Sequence, residues 1–306
     1  MSSIMTNSAA MTALKALQAT NKAIYKTQER ISTGYQVAQA SDNAAYWSIA
    51  TTMKSDNKAL GTVQDALGLG ASKVDVAYTA LNSAIDVVDE IKAKIVAAKE
   101  PGIDRSKIQS EISELQNQLS SIATSASFSG ENWLSVNSAD ASYTATKNVV
   151  ASFTRASDGS VSVETLSIDI TTTELFDAND QSGILDSTFT TTGTGAVTVS
   201  VSTLDITAAN VDDTDLDEML SAVDAAFGLM TDAASALGAT SKRIDTQTEF
   251  VDALMDAIER GVGQLVDADM EEESTKLQAL QTQQQLGIQA LSIANTSAQN
   301  ILSLFQ

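Results

Sequence analysis

The hydrophobic positions of this chain recur every three or four residues over two long stretches. One series runs from Tyr46 to Ala98 and the second from Leu216 to Leu265. This alternation is typical of a single apolar face along an α-helix. At 1.5 Å per residue the two helices would be about 78 and about 74 Å long. The pattern therefore predicts two long helices of matched length, which we expect to lie antiparallel in an elongated rod built from both termini.

The two ends of the chain carry a similar pattern and no charge. Residues 1–14 and 277–306 contain no Asp, Glu, Lys or Arg. A helix that faces water normally carries charge, so these ends predict helices buried among other helices or lining a polar enclosed space. A frayed tail rich in Gln and Ser is the alternative for 277–306. The N-terminal stripe consists of Leu17, Ile24 and Ile31. The C-terminal stripe is two series with a spacing of seven, made of Leu277, Gln284, Leu291, Ala298 and Phe305, and of Leu280, Gly287, Ala294 and Ile301.

The middle of the chain changes period twice. Pro101 is the only proline, and it ends the first long helix. Asp104 can then cap a third helix, whose apolar stripe from Ile108 to Ile122 predicts that it runs back along the first. From about Phe128 the alternation favours strands, with a hairpin turn at Asp158-Gly159.

A further strand is predicted in VTVSVSTLDIT, residues 197–207, within a stretch rich in Thr and Ser that fits an exposed β region. The predicted fold is therefore mainly α, an elongated rod of long antiparallel heptad-patterned helices with a small β-rich outer region in the middle of the chain.

Composition removes several classes of function. The chain has 306 residues, 39 Asp and Glu against 18 Lys and Arg, and no Cys or His. Without Cys there is no disulfide or thiol nucleophile, and without His the commonest general base and metal ligand are missing. These absences argue against an enzyme, because any catalysis would need carboxylates, Lys, Tyr or Ser, and no cofactor is predicted. A pI near 4.1 argues against nucleic acid or an anionic membrane as a partner.

The N-terminus does not read as a cleaved signal peptide, and no apolar stretch is long enough to span a bilayer. The acidic residues are unevenly spread, since no Lys or Arg lies between Arg155 and Lys242. The charge is thus concentrated in the middle of the chain, away from both ends.

Four local patterns could form sites. The acids of 212–218 resemble a calcium loop but lack its glycine, so they are better explained as first-turn acids of the second long helix. The acids of 267–273 fit a solvated patch at a break between two heptad registers. Gly68 and Gly70 lack the Lys-Ser/Thr pair of a phosphate loop. Tyr46-Trp47 could be a ligand platform, but Tyr46 falls on the apolar stripe, which favours helix packing. No metal or catalytic site is predicted.

Both ends of the chain resemble the bacterial flagellins. TNSAAMTALKAL at 6–17 and ERISTGYQVAQASDNAAYWSIA at 29–50 are similar to the N-terminal part of that family. Residues 241–305 are similar to its C-terminal part almost throughout. The resemblance implies a structural subunit that self-assembles into a hollow flagellar filament for swimming. A hook–filament junction protein, which shares these terminal patterns, is the alternative.

The resemblance also implies that three parts of the chain have different structural roles. Residues 1–42 and 262–306 would form a terminal coiled coil lining the filament channel. Residues 43–170 and 211–261 would form an intermediate helical part with a hairpin, and 171–210 a small outer region. The implied self-assembly interface consists of Leu17, Ile24, Ile31, Leu277, Leu280, Leu291, Ile301 and Phe305.

Partners and location follow from the same resemblance. It implies a homopolymer, with other flagellins as further candidates, and a flagellar export chaperone, cap and hook-associated proteins as partners. It implies a secreted, extracellular protein that leaves the cell through type III export. The segments that host receptors read in flagellins map to Arg30, Gly34, Asp42, Val87, Asp89 and Glu90. Because Val87 and Asp89 stand where the family usually has Arg, we expect weak receptor activation.

Overall fold

The chain is mostly helical, as the periodicity predicts. A computed structural model describes residues 7–209 and 211–303, and for 297–303 it describes the helical backbone alone. The described helices are α1 (Ser8–Thr33), α2 (Ala44–Ala98), α3 (Arg105–Ser125), α4 (Asp213–Val266) and α5 (Met270–Ser303). The described strands are β1 (Ser127–Phe128), β2 (Glu131–Asn132), β3 (Ser135–Val136), β4 (Thr146–Arg155), β5 (Val161–Asp169), β6 (Phe176–Asp177), β7 (Phe189–Thr190) and β8 (Thr198–Val199).

These elements form two compact units. The terminal unit contains residues 1–58 and 255–306, and the central unit contains residues 59–254. The domain boundaries at 42/43, 170/171, 210/211 and 261/262 rest on the resemblance and remain a prediction about the roles of these parts.

The central unit is held together by the apolar stripes of α2 and α4. From Leu60 to Ala98 every predicted stripe position of α2 is buried, and those of α4 from Leu216 to Val251 are buried or half-buried. The two helices are antiparallel there, because Lys92 pairs with Asp224 while Gln64 Nε2 donates to Asp252 Oδ1 at 2.6 Å. The predicted pairing of the two long helices is therefore confirmed within this unit.

The third helix and the hairpin also follow the sequence pattern. The Asp104 side chain accepts a hydrogen bond from the Ser106 amide and caps α3. Strands β4 and β5 pair antiparallel, and Gly159 in their turn has φ 87°, a left-handed conformation that favours glycine. The hairpin lies close against α2, since a Cβ built on Gly70 would lie 2.4 Å from Val149 Cγ1 of β4.

The predicted strand at 197–207 is largely wrong. Only Thr198–Val199 is a strand, and Val201–Thr203 forms a short 3₁₀-helix. Gln109 of α3 binds the backbone that follows this 3₁₀-helix. Its Nε2 donates to Leu204 O, and its Oε1 accepts from the Ile206 amide at 2.8 Å. Leu204 and Ile206 are buried rather than exposed, so this segment is a packed loop and not the exposed β surface that was expected.

Candidate assembly surface

Helices α1 and α5 pair antiparallel in the terminal unit, and amide side chains tie them together. Asn7 caps α1 by accepting from the Ala10 amide, and its Nδ2 donates to Ala294 O of α5 at 2.9 Å. About four turns further along α1, Gln284 Nε2 donates to Asn21 Oδ1 at 2.7 Å. These uncharged polar contacts replace the ion pairs that usually flank a two-helix seam.

Six of the eight residues assigned to the self-assembly interface line the seam of this pair. Ile24 is buried, and Leu17, Ile31, Leu277, Leu280 and Leu291 are half-buried. The two helices lie close together at Gly287, where a Cβ would be in ordinary van der Waals contact with Leu17 Cδ1 at 3.4 Å. Ile301 falls where only the backbone is described, and Phe305 lies outside the described residues. The seam thus joins two parts of one chain, and its contact with a second copy stays a prediction.

Sequence reasoning missed the apolar residues on the outer faces of the same pair. Six large apolar side chains there are exposed, and Ile293 is 70% exposed. They lie outside the heptad positions, so the seam pattern hides them. Isolated exposed apolar residues are common, but the three on α5 lie within residues 277–296, which carry no charge, and such a series is typical of an interaction surface. The six are Met11, Leu14 and Tyr25 of α1 and Leu286, Ile288 and Ile293 of α5.

A buried ion pair fixes the end of the α1/α5 seam. Arg30 donates to Glu273 Oε1 at 2.7 Å, and only 5% of Glu273 is exposed. Burial raises the pKa of the Glu273 carboxyl, but hydrogen bonds from Arg30 and Thr27 outweigh it and hold the pKa below its usual value. The expectation that all acids of 267–273 form a solvated patch is therefore wrong for Glu273. The break itself is present, because α4 ends at Val266 and α5 begins at Met270.

The backbone that follows α1 is hydrogen-bonded to the backbone between α4 and α5. Gly34 ends α1 with φ 74°, a left-handed C-cap whose amide donates to Arg30 O. The Gln36 amide donates to Val266 O at 2.7 Å, and the Ala268 amide to Gly34 O at 2.8 Å. Both helix breaks of the terminal unit are thus hydrogen-bonded to each other.

The positions mapped to host-receptor recognition differ in their accessibility. Asp42 accepts from the Ala38 and Gln39 amides and pairs with Lys26 at 3.1 Å, which lowers the pKa of the Asp42 carboxyl. Val87 is buried, whereas Asp89 and Glu90 are exposed. Arg30 and Gly34 are committed to the ion pair and the helix cap described above.

The acids of 212–218 bind the chain's own backbone. Asp213 and Asp215 lie in the first turn of α4, as predicted. Asp212 Oδ2 accepts from both the amide and the hydroxyl of Thr194, which lowers the pKa of Asp212. Asp215 Oδ2 accepts from the Gly195 amide at 3.2 Å. These carboxylates hold the loop between β7 and β8 against the start of α4 by hydrogen bonds.

Other candidate sites gain no support from the described residues. No group of three or more acidic side chains in that part of the chain is arranged to hold a metal ion. None of the helices within the same residues has the length and apolar character to cross a bilayer. Gly68 and Gly70 lie inside α2. The packing role expected for Tyr46 is wrong, since Tyr46 is 47% exposed.

Comparison with known proteins identifies relatives over the whole chain. The model for the bacterial flagellin N-terminal helical region matches residues 4–139, and that for the C-terminal helical region matches 220–305. Flagellin C of Rhizobium meliloti strain 1021 is 54% identical, and the flagellin of Brucella melitensis biotype 1 is 46% identical. Each alignment covers 100% of both chains. Flagellin A of the same Rhizobium strain is 44% identical over 396 aligned positions with the same coverage, so it carries segments that this chain lacks.

Proposed function

This chain belongs to the bacterial flagellin family and is a filament subunit, and on that premise we propose that the α1/α5 pair is its assembly module. The observation that supports this proposal is the outer surface of the pair. It is uncharged over residues 277–296, and it exposes Leu286, Ile288 and Ile293 to water in the isolated chain. A subunit that stays separate would be expected to cover such a face with charge.

The seam and the outer faces have different roles in this proposal. Ile24, Leu17 and Leu291 hold α1 and α5 together and so shape the module. The exposed residues then contact neighbouring subunits, and the amide-rich positions between them face either a neighbour or the channel. Residues 1–42 and 262–306 form this channel-lining part, 43–170 and 211–261 the intermediate part, and 171–210 the outer region.

The remaining assignments follow from the family. The family is structural, which fits a subunit without catalytic activity. The filament is an extracellular appendage, and we propose that the chain reaches it by type III export with a dedicated chaperone, a cap and hook-associated proteins as partners. Receptor activation is expected to be weak, because buried Val87 and acidic Asp89 stand where the family usually presents Arg. A reporter-cell assay with purified monomer measures it, and full activation at low concentration would contradict the expectation.

The decisive experiment places a charge on the outer face of α5. Ile293→Lys should abolish filament growth from seeds while leaving the monomer helical by circular dichroism. Ile293→Leu is the matched control and should polymerise as the parent does. Deletion of 277–306 should likewise give a soluble monomer without filaments. Normal filaments from both Ile293→Lys and the deletion would overturn the assignment of this module.

A further inference from the structure

The first turn of α2 exposes three large apolar side chains. Tyr46 is 47% exposed, Trp47 is 38% exposed and Ile49 is 46% exposed. On a helical projection Trp47 and Ile49 lie on either side of Tyr46, so the three cover about 160° of the circumference. We propose that this aromatic patch, defined as Tyr46, Trp47 and Ile49, is a contact surface for a second copy of the chain within the filament.

The patch continues a stripe that is buried one turn later. Ala50 lies four residues after Tyr46 and is buried with Val262 and Val266 of α4, and Met53 packs against the same cluster. Residues four apart lie on the same face of a helix. Because α4 ends at Val266, the stripe runs past the end of the helix that covers it. The aromatic patch is therefore the uncovered extension of a packing face.

A second copy is the occupant that fits this surface. The inference depends on the filament function, which surrounds each subunit with identical neighbours. Residues 43–53 contain no charge, so this segment of α2 can itself be desolvated without burying an ion. Tyr and Trp are the residues most enriched at the centres of protein–protein interfaces, where they bury large areas at low entropic cost. An anchor of this kind at every subunit would contribute to filament stability.

Intrinsic fluorescence tests the burial of Trp47 directly. The chain has two tryptophans, and Trp133 is only 3% exposed. In the Trp133→Phe variant Trp47 is the sole tryptophan. Its emission should shift to shorter wavelength on polymerisation, and quenching by acrylamide should fall at least about threefold. In the Trp47→Phe control the buried Trp133 should change little. Filaments in which Trp47 stays as accessible as in the monomer overturn this proposal while leaving the filament function intact.

Cross-linking identifies what covers the patch. The chain contains no Cys, so Ile49→Cys carries a benzophenone label at one place only. Irradiated filaments should give covalent dimers on a denaturing gel, whereas irradiated monomer should not. Cross-links within single chains alone would mean that another segment of the same chain covers the patch, and would overturn the proposal.

Assembly strength is the third measurement. Trp47→Ala should raise the critical concentration for polymerisation at least about tenfold, as expected for loss of an aromatic anchor. Trp47→Phe keeps most of the apolar area and should raise it much less. Because Trp47 is only 38% exposed, the melting temperature of each monomer is measured before assembly, and a higher critical concentration without an equivalent loss of monomer stability is the expected result. Equal critical concentrations for the Ala variant and the parent would overturn the role of Trp47.

Discussion

Two glycines in the interior of α2 face opposite environments and offer a matched test of the packing of the central unit. Gly68 is exposed, and a Cβ built there meets nothing within 4 Å. Gly70 is buried, and a Cβ there would lie 2.4 Å from Val149 Cγ1 and 2.9 Å from its Cγ2. Replacing each glycine by alanine therefore makes the same change to the helix backbone but a different change to its surroundings.

The magnitudes follow from two opposing effects. Alanine in place of glycine in a helix interior stabilises by about 0.5–1 kcal/mol. At position 70 the new methyl group also overpacks the contact with β4, which costs about 1–3 kcal/mol. Gly68→Ala should thus raise the free energy of unfolding, and Gly70→Ala should leave it unchanged or lower it. The two variants should differ by about 1–3 kcal/mol, or about 2–12 °C in melting temperature.

Thermal denaturation of the monomer, followed by circular dichroism at 222 nm, measures this difference. Val149→Ala supplies the control, because removing the methyl groups that Gly70→Ala would strike should make the two substitutions couple favourably. The double variant Gly70→Ala/Val149→Ala should therefore be more stable than the sum of the single effects. Equal melting temperatures for Gly68→Ala and Gly70→Ala would refute the close packing of the hairpin on α2.

Three further predictions concern buried charge. Glu273→Gln removes the charge that pairs with Arg30 and should lower the stability of filaments to heat by about 3–5 kcal/mol, whereas Arg30→Met/Glu273→Met should recover most of that loss. The pKa of the Glu273 carboxyl is lowered on folding, so its contribution to stability should be present above about pH 4.3 and be lost as the pH falls through the folded pKa. Circular dichroism measured against pH should therefore show a flatter profile for Glu273→Gln than for the parent. Burial raises the pKa of Glu174, which accepts a hydrogen bond from Tyr143, so Glu174→Gln should raise the melting temperature at pH 7 and exposed Glu164→Gln should not.

The sequence predicted the faces of the long helices but not where each face ends. The α2 stripe is buried from Leu60 onwards because α4 runs beside it, and periodicity alone reports that arrangement. Tyr46 and Ile49 belong to the same series and are exposed, because the helix opposite has already ended at Val266. A hydrophobic series carries no information about the length of its partner, so the aromatic patch could not be found without the structure.

The irregular parts escaped prediction for a related reason. The alternation in 197–207 has the period of a strand, yet Gln109 of α3 captures the backbone of Leu204 and Ile206. Such a contact joins residues nearly a hundred positions apart and overrides local propensity. Glu273 was missed likewise, because only its contact with Arg30 distinguishes it from neighbouring exposed acids.

The acidic surface of the central unit does little to hold it together. Lys92 of α2 and Lys99, just after the end of α2, pair with Asp224 and Asp217 of α4, but these carboxylates are exposed, and exposed ion pairs contribute about 0–1 kcal/mol each. The buried stripes therefore supply the cohesion, and the chain as a whole carries a net charge of −21. In a filament that charge is brought together at high density, so like-charge repulsion opposes the apolar contacts between subunits. Screening by salt weakens the repulsion and leaves the apolar contacts intact, so the critical concentration for assembly should fall as ionic strength rises.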